Sequence, residues 1–113
     1  MRMKKSVSRS RPRRIDGAFF IRDLASARTF SLVHGTLDGT HPARPTVNRR
    51  SDRAYFILSG SGSIRVGARR YRVRQNDLVL VRKLVPHQLR GRLRCLVITA
   101  PRFDPKDERL LKK

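Results

Sequence analysis

The sequence is a succession of short apolar or alternating segments separated by residues that favour turns. The segments that read as strands are 19–21, 30–34, 53–58, 63–66, 70–74, 78–81, 87–89 and 93–99. Turns are expected at 60–62, 67–69 and 75–77, and a loop rich in Gly and Pro at 35–45. Strands that recur about every 8–12 residues with turn residues between them predict an all-β sandwich or barrel.

Two segments carry more specific expectations. The uninterrupted apolar run at 78–81 is typical of a strand that is buried on both faces. The last segment, 105–113, has Asp104 as a candidate N-cap, acidic residues in its first turn and lysines at its end. Since this order of charges complements a helix dipole, the sequence predicts a short C-terminal helix.

The chain is 113 residues long, which suits one compact domain. We place this domain at residues 15–113 and predict a disordered basic arm at 1–14, which contains seven basic residues and no acid. The residues after the arm are interrupted by charges and lack a signal-peptide cleavage site, so a cytoplasmic location is expected. No apolar run approaches the roughly 20 residues of a membrane span, so no membrane contact is expected.

Basic residues outnumber acidic ones by 28 to 8, which gives a net charge of +20. Arginines occupy every second position at 70–74 and again at 90–94, so each set lies on one face of a strand. These rows are either ordinary solvated faces or an anion-binding surface. Cys95 is the only cysteine, which excludes an intramolecular disulfide and a cysteine-rich metal site.

Three stretches resemble the small single-domain cupins. Residues 51–62 resemble the first conserved cupin motif, residues 76–81 with Val85-Pro86-His87 resemble the second, and residues 100–108 resemble a common cupin ending. The resemblance implies a double-stranded β-helix, the jelly-roll barrel of cupins. It also implies a homodimer, since apolar residues at 54, 56 and 58 on the outer strand face are expected to be covered by another sheet or a partner chain.

The metal-ligand positions that the resemblance implies are largely lost. A metal-binding cupin usually supplies two His and one Glu from the first motif and one His from the second. Those positions fall here on Thr46, Asn48, Arg53 and His87. Since guanidinium has no lone pair and repels a cation, neither a metal nor another cofactor is expected. His34 and His41 are interpreted as ordinary strand-end and loop histidines.

Alternation along residues 53–57 places Arg53 and Tyr55 on the face that corresponds to the barrel interior of cupins. A buried guanidinium needs a partner, either an internal carboxylate such as Asp52 or Asp77 or an anionic ligand. The favoured hypothesis is a metal-free barrel that binds a small anionic metabolite. Its ligand-binding residues are predicted to be Thr46, Asn48, Arg53, Tyr55 and His87.

Two further hypotheses remain open. One is an isomerase, epimerase or lyase in which His87 acts as the general acid or base, although no residue spacing requires catalysis. The other is a non-specific binder of nucleic acid or of an acidic partner through the basic arm and the arginine rows.

Overall fold

Antiparallel strands make up most of the computed structural model, which describes residues 4, 6–104 and 106 and the backbone of 108–110. A single 3-10 turn at Val7–Arg9 precedes the first strand. The strands are β1 (Arg13–Arg14), β2 (Phe19–Ser26), β3 (Ser31–Asn48), β4 (Asp52–Val66), β5 (Arg69–Arg74), β6 (Leu78–Val81), β7 (His87–Ala100) and β8 (Glu108–Leu110). The prediction of an all-β fold is confirmed.

The sheet is organised around β7, which pairs along its length with both β3 and β4. The strand order is β1-β2-β3-β7-β4-β5, while β6 pairs with β4 and β8 pairs with β3. Every pairing is antiparallel. Because β3, β4 and β7 are long and bent, the sheet curls around an interior instead of stacking as a flat layer.

The long strands contradict two expected interruptions. The Gly- and Pro-rich segment 35–45 is part of β3, and the predicted turn at 60–62 lies within β4. Gly39 and Gly62 are both opposite Gly91 in the register, so a row of glycines crosses three strands. Glycine permits the bend that curls the sheet without ending the backbone pairing. Residues that favour turns therefore lie at bends within these strands, and the strands continue through the bends.

The predicted C-terminal helix is also wrong for the residues that the structure describes. Residues Glu108–Leu110 form β8, whose backbone pairs with Thr46, Val47 and Asn48 of β3. Backbone pairing of the tail with the end of β3 therefore outweighs the local order of charges, which by itself favours a helix. The Asp104 carboxylate accepts from the Lys106 backbone N–H at 3.0 Å, in a local turn. Residues 105, 107 and 111–113 of the predicted helix lie outside the described residues.

Part of the predicted basic arm contacts the barrel. Arg13 and Arg14 pair with Ile21 and Phe20 of β2. The Arg22 guanidinium donates to the backbone oxygen of Val7, which holds the 3-10 turn against the same strand. Residues 13–14 are therefore an edge strand, whereas residues 1–3 and 5 lie outside the described part of the chain.

The core fills the interior of the curled sheet. Its members are the inward-facing apolar side chains of six strands together with Cys95: Phe19, Ile21, Leu37, Tyr55, Ile57, Ile64, Val73, Val81, Leu89, Leu93, Cys95 and Val97. Burial raises the pKa of the Cys95 thiol to about 12, so this cysteine stays protonated. Among the described residues, no helix has the length and apolarity of a membrane span.

The expectation of a doubly buried strand at 78–81 is wrong. Val81 is buried, but Leu78 is 63 % exposed and Leu80 is 55 % exposed. The strand pairs with β4 only, and in the described structure no second layer covers its outer face. The apolar run thus consists of one core face and one exposed face.

Candidate functional site

A cavity of about 400 Å³ opens at one end of the barrel, between β2, the first half of β3, and the paired ends of β4 and β7. Its lining combines aromatic and aliphatic walls with a few polar groups, as in many small-molecule sites. The lining residues are Arg13, Ile15, Phe19, Ile21, Asp23, Ala25, Ser26, Ser31, Val33, His41, Arg53, Tyr55, Val97, Thr99 and Phe103.

Arg53 supplies a deeply placed positive charge to this cavity. Only 7 % of the residue is exposed. Its guanidinium lies 3.4 Å from the Tyr55 hydroxyl and 3.4 Å from the Asn48 side-chain oxygen. The guanidinium carbon also lies 5.7 Å from the centre of the Phe103 ring, in a cation–π arrangement. The Tyr55 hydroxyl and the Asn48 amide therefore hold the guanidinium in place.

The structure brings the five predicted ligand-binding residues into one buried cluster. Thr46 and His87 are opposite each other in the pairing of β3 with β7, and the rings of Tyr55 and His87 are 6.2 Å apart. All five side chains are buried, but only Arg53 and Tyr55 line the cavity. Thr46, Asn48 and His87 lie behind them, away from the cavity lining.

His87 is an electrically neutral part of this cluster. Burial, and next the charge of Arg53, lower the pKa of His87 to about 4. Neither ring nitrogen has a hydrogen-bond partner among the described residues, although the backbones of Val85 and Thr46 lie close enough to favour the protonated form weakly. Since His87 is fully buried and absent from the cavity lining, it is poorly placed to exchange protons with a ligand there.

The internal partners considered for Arg53 are engaged elsewhere. The Asp52 carboxylate accepts from the backbone N–H of Lys83 at 2.8 Å and from Arg82 Nε at 3.3 Å. The Asp77 carboxylate accepts from the backbone N–H of Arg74 at 2.9 Å. Both carboxylates therefore stabilise turns near β6 and do not neutralise the guanidinium in the cavity.

The cluster does not fit the divalent metal that cupin folds often hold. The four positions that the cupin resemblance marks as metal ligands carry a hydroxyl, an amide, a guanidinium and one imidazole. The guanidinium would repel a cation. In the part of the chain that the structure describes, no three side chains of His, Cys, Asp or Glu are grouped to bind a metal. The cluster therefore carries a positive charge where metal-binding cupins usually have a carboxylate ligand.

A second polar pair, which the sequence did not reveal, joins Asp16 to His41, and the His41 ring lines the cavity. The Nδ1 atom of His41 is in direct hydrogen-bond contact with the carboxylate of Asp16. The same carboxylate accepts from the backbone N–H groups of Ala18 and Phe19 at 2.8 and 2.9 Å. The imidazole also stacks on the Phe19 ring, with 4.4 Å between centres and an angle of 18°. Both the tilt and the position of the His41 ring are therefore fixed.

The electrostatics of Asp16 suit an orienting carboxylate. Partial burial acts to raise its pKa, but the hydrogen bonds from His41, Ala18 and Phe19 outweigh burial and hold the pKa below its ordinary value. Asp16 is thus ionised at neutral pH, and its carboxylate accepts a hydrogen bond from the N–H at His41 Nδ1. In the neutral imidazole this contact selects the tautomer whose lone pair is on Nε2, the arrangement of a general base.

The interpretation of His41 as an ordinary loop histidine is therefore incomplete. Asp16 and His41 are 25 positions apart in the sequence. They meet because β2, which begins just after Asp16, pairs with β3, which contains His41. The Asp-Gly pair at 16–17 indicated a turn, but no local spacing indicated which imidazole the carboxylate would reach.

An ion pair lies among the residues that line the cavity. The Arg13 guanidinium donates to both carboxylate oxygens of Asp23, at 2.8 and 3.0 Å. Both side chains are more than half exposed, so the pair contributes little to stability. Its position on β1 and β2 makes the edge strand part of the cavity wall.

Comparison with solved structures identifies the fold. The Streptomyces nucleoside dehydratase Pac13, variants of which have been solved with uridine, aligns with a TM-score of 0.88 and 19 % identity over 99 % of this chain and 92 % of that protein. KdgF from Halomonas sp. aligns with a TM-score of 0.78 and 13 % identity, over 88 % of this chain and 93 % of that one. An RmlC-like cupin from Shewanella frigidimarina gives a TM-score of 0.74 and 15 % identity, over 88 % and 90 %.

The chain therefore has the cupin fold, as the resemblance of its motifs predicted. The alignments span nearly the whole chain, so the fold assignment extends beyond the motif segments. No protein-family model and no curated protein matches the sequence. The cupin-fold structures include enzymes, among them the nucleoside dehydratase.

Proposed function

We propose that this protein binds a small anionic metabolite in the barrel cavity and catalyses a lyase or isomerase reaction on it. One observation carries the proposal: His41, whose ring is oriented by Asp16, and the buried guanidinium of Arg53 line the same cavity of about 400 Å³. A cavity of this size suits a metabolite and excludes a macromolecule.

Arg53 is the proposed anion-binding group. A guanidinium presents a planar fork of N–H donors that matches a carboxylate or a phosphate. The hydrogen bonds to Asn48 and Tyr55 hold that fork in place before a ligand arrives, which reduces the entropy cost of binding.

His41 is the proposed acid–base group, which replaces His87 in the enzyme hypothesis. With Nδ1 engaged by Asp16, Nε2 is the ring nitrogen that can remove a proton from carbon next to the bound carboxylate or carbonyl. Arg53 would stabilise the negative charge that develops on the oxygen, and the protonated imidazole would return the proton to a departing hydroxyl or to carbon. Loss of hydroxyl as water gives a dehydration, and return of the proton to carbon gives an isomerisation.

The fold comparison supports this choice of chemistry. Pac13 is a nucleoside dehydratase and has been solved with uridine, which shows that a barrel of this shape accommodates a nucleoside and an elimination reaction in that protein. The aromatic side chains of Phe19, Tyr55 and Phe103 on the present cavity wall suit a ligand with a flat or ring-shaped part.

Binding and catalysis are tested with separate measurements. Calorimetry with uridine, uridine 5′-monophosphate and glucuronate compares a neutral nucleoside, an anionic nucleoside and an anionic sugar. We expect an anion to bind, and Arg53→Met to weaken that binding by at least about tenfold. Arg28→Met, which removes the same charge from an exposed position outside the cavity lining, should leave it unchanged. If none of the three binds, or if Arg53→Met binds as tightly as the parent, anion recognition by Arg53 is wrong.

Catalysis is followed by mass spectrometry in D2O, which detects both loss of water and exchange of a carbon-bound proton in the ligand that binds. Removing the general base should slow exchange by about 10²–10⁴-fold in His41→Gln, and Asp16→Asn should also slow it because the tautomer is no longer fixed. His87→Leu is the matched control and should retain the parent rate. Equal rates in His41→Gln and the parent would contradict the mechanism, and binding without exchange would reduce the proposal to ligand binding.

A further inference from the structure

The outer surface of the barrel carries two parallel rows of arginines that the cavity does not use. One row is Arg70, Arg72 and Arg74 of β5, and the other is Arg90, Arg92 and Arg94 of β7. All six side chains are exposed, whereas the alternate residues Val73 and Leu93 are buried. We call this surface the arginine face.

A row of small residues from β4 separates the two arginine rows. Ser61 is opposite Arg74 on one side and Arg92 on the other, and Ser63 is opposite Arg72 and Arg90. Since neighbouring strands lie about 4.8 Å apart, the arginine rows are about 10 Å apart, and successive arginines within a row are separated by about 7 Å. The serines form a low floor between two basic walls.

The floor is kept low by glycines as well as serines. Gly62 and Gly91 are opposite each other, and a Cβ on Gly91 would lie 2.5 Å from the Gly62 Cα atom. This packing leaves an open groove of about 750 Å³ on the arginine face, and its walls include Arg70, Arg72, Arg74 and Arg90. The groove is open along its length, which suits an extended ligand better than a compact one.

The positive charge of this face is only partly compensated. Asp38 lies 3.5 Å from Arg92 Nε in a pair whose two side chains are both strongly exposed. Asp77 lies at the edge of the groove, where it accepts from the Arg74 backbone. The Arg70 guanidinium donates to the Ser63 hydroxyl at 3.1 Å, which directs it toward the groove. Six guanidiniums thus face two carboxylates among the described residues.

We propose that the arginine face binds the phosphodiester backbone of nucleic acid without regard to base sequence. The regular repeat of guanidiniums along two strands matches a polymer whose negative charges also repeat regularly, and each guanidinium can hold a phosphate through two N–H groups. The described residues that line the groove include no aromatic side chain on which a base could stack, so recognition is limited to phosphates. This proposal is independent of the cavity.

The test is binding of a fluorescent 20-base-pair DNA of random sequence as a function of salt concentration. Six phosphate contacts predict a slope of about −5 in the logarithm of the association constant against that of salt, a loss of about 10³-fold between 50 and 200 mM. The triple variant R72Q/R74Q/R90Q should reduce the slope by about 3 and weaken binding at low salt by at least about tenfold. The matched control R28Q/R44Q/R50Q removes the same charge from exposed positions outside the face.

The outcomes separate the proposal from the alternatives. A larger loss of affinity and slope in R72Q/R74Q/R90Q than in the control supports it, with circular dichroism showing that both variants are folded. Equal losses in the two triple variants would mean that only net charge matters, and would overturn the assignment to this face. Polyglutamate that displaces the DNA at equal charge concentration would overturn the preference for phosphates, and unchanged binding in both variants would overturn the proposal altogether.

Discussion

Two ionisable side chains in the buried cluster differ in charge, since Arg53 is a cation and His87 is neutral. Arg53 remains charged because a guanidinium releases its proton only at very high pH, and Asn48 and Tyr55 surround it with polar atoms. His87 gives up its charge because burial and the neighbouring guanidinium both penalise a second cation. Burial and a strongly basic neighbour together keep His87 neutral.

The neutral state of His87 predicts that acid destabilises the protein. On folding, the pKa of His87 falls from 6.5 to about 4, so between these values the unfolded chain binds more protons than the folded one. Stability from this residue is complete above pH 6.5 and is lost as the pH falls toward 4, by about 3 kcal/mol at most. Urea unfolding at pH 7.5 and 4.5 measures this loss.

The matched variant for this prediction is His87→Leu, which keeps a similar volume and removes the titration. The difference in unfolding free energy between pH 7.5 and 4.5 should be smaller in His87→Leu than in the parent by about 2–3 kcal/mol. The same pH dependence in both proteins would show that His87 is not the group responsible.

At the level of elements, the barrel depends on a few long strands that bend. Gly91 is central to this geometry, because it has a φ of +131° and is opposite Gly62 on one side and Gly39 on the other. A side chain at Gly91 would require both an unfavourable backbone conformation and space that the neighbouring strand occupies. The close approach of Gly91 to Gly62 therefore underlies both the curvature of the sheet and the groove of the arginine face.

Gly91→Ala should lower the free energy of unfolding by about 3 kcal/mol or more, because the new Cβ would lie 2.5 Å from Gly62 Cα and 2.6 Å from the Ser61 carbonyl oxygen. Gly17→Ala is the control, since a Cβ there meets nothing within 4 Å, and its unfolding free energy should change by less than about 1 kcal/mol. Chemical denaturation compares the two. Equal effects would mean that the close approach at Gly91 relaxes without cost.

The whole molecule combines two surfaces with opposite properties. The arginine face presents six exposed arginines, whereas the outer side of β6, β4 and β7 near residues 54–56 is apolar. There Ala54 is opposite Leu80 and Ile98, and Phe56 is opposite Leu78 and Leu96. Leu80 is 55 % exposed and Ile98 is 41 % exposed, so they form one contiguous apolar patch. This patch is where a second copy of the chain would pack.

The homodimer remains a prediction, and the apolar patch specifies the surface through which the two copies would contact each other. Sedimentation equilibrium should give a dimer that strengthens with salt, because salt screens the repulsion between two chains of charge +20. Leu80→Asp should produce a monomer at micromolar concentration. Tyr71→Asp is the control, because Tyr71 is 43 % exposed on β5 and pairs with β4 eight residues beyond Phe56. A monomeric parent, or a dimer unaffected by Leu80→Asp, would refute the prediction.

Local sequence was a good guide where the physics is local. Alternation along residues 53–57 placed Arg53, Tyr55 and Ile57 on the buried face, and the structure agrees. It was a poor guide wherever an outcome depends on distant partners. The tail at 108–110 belongs to a segment with the charge order of a helix, but it pairs with β3. Leu78 and Leu80 are exposed because, in the described structure, no second layer covers the outer face of β6.

By itself, the sequence determined the all-β class and the inward face of residues 53–57, because side-chain alternation and turn residues act over a few positions. The cupin fold was implied by the resemblance of its motifs, and the comparison with solved structures confirmed it. Only the tertiary structure decided which polar groups meet in the cavity. Asp16 contacts His41 across 25 positions, and His87 is excluded from the lining although it keeps the residue that is usual at its motif position. Such pairs are fixed by strand register and by the curl of the sheet, which are properties of the whole chain.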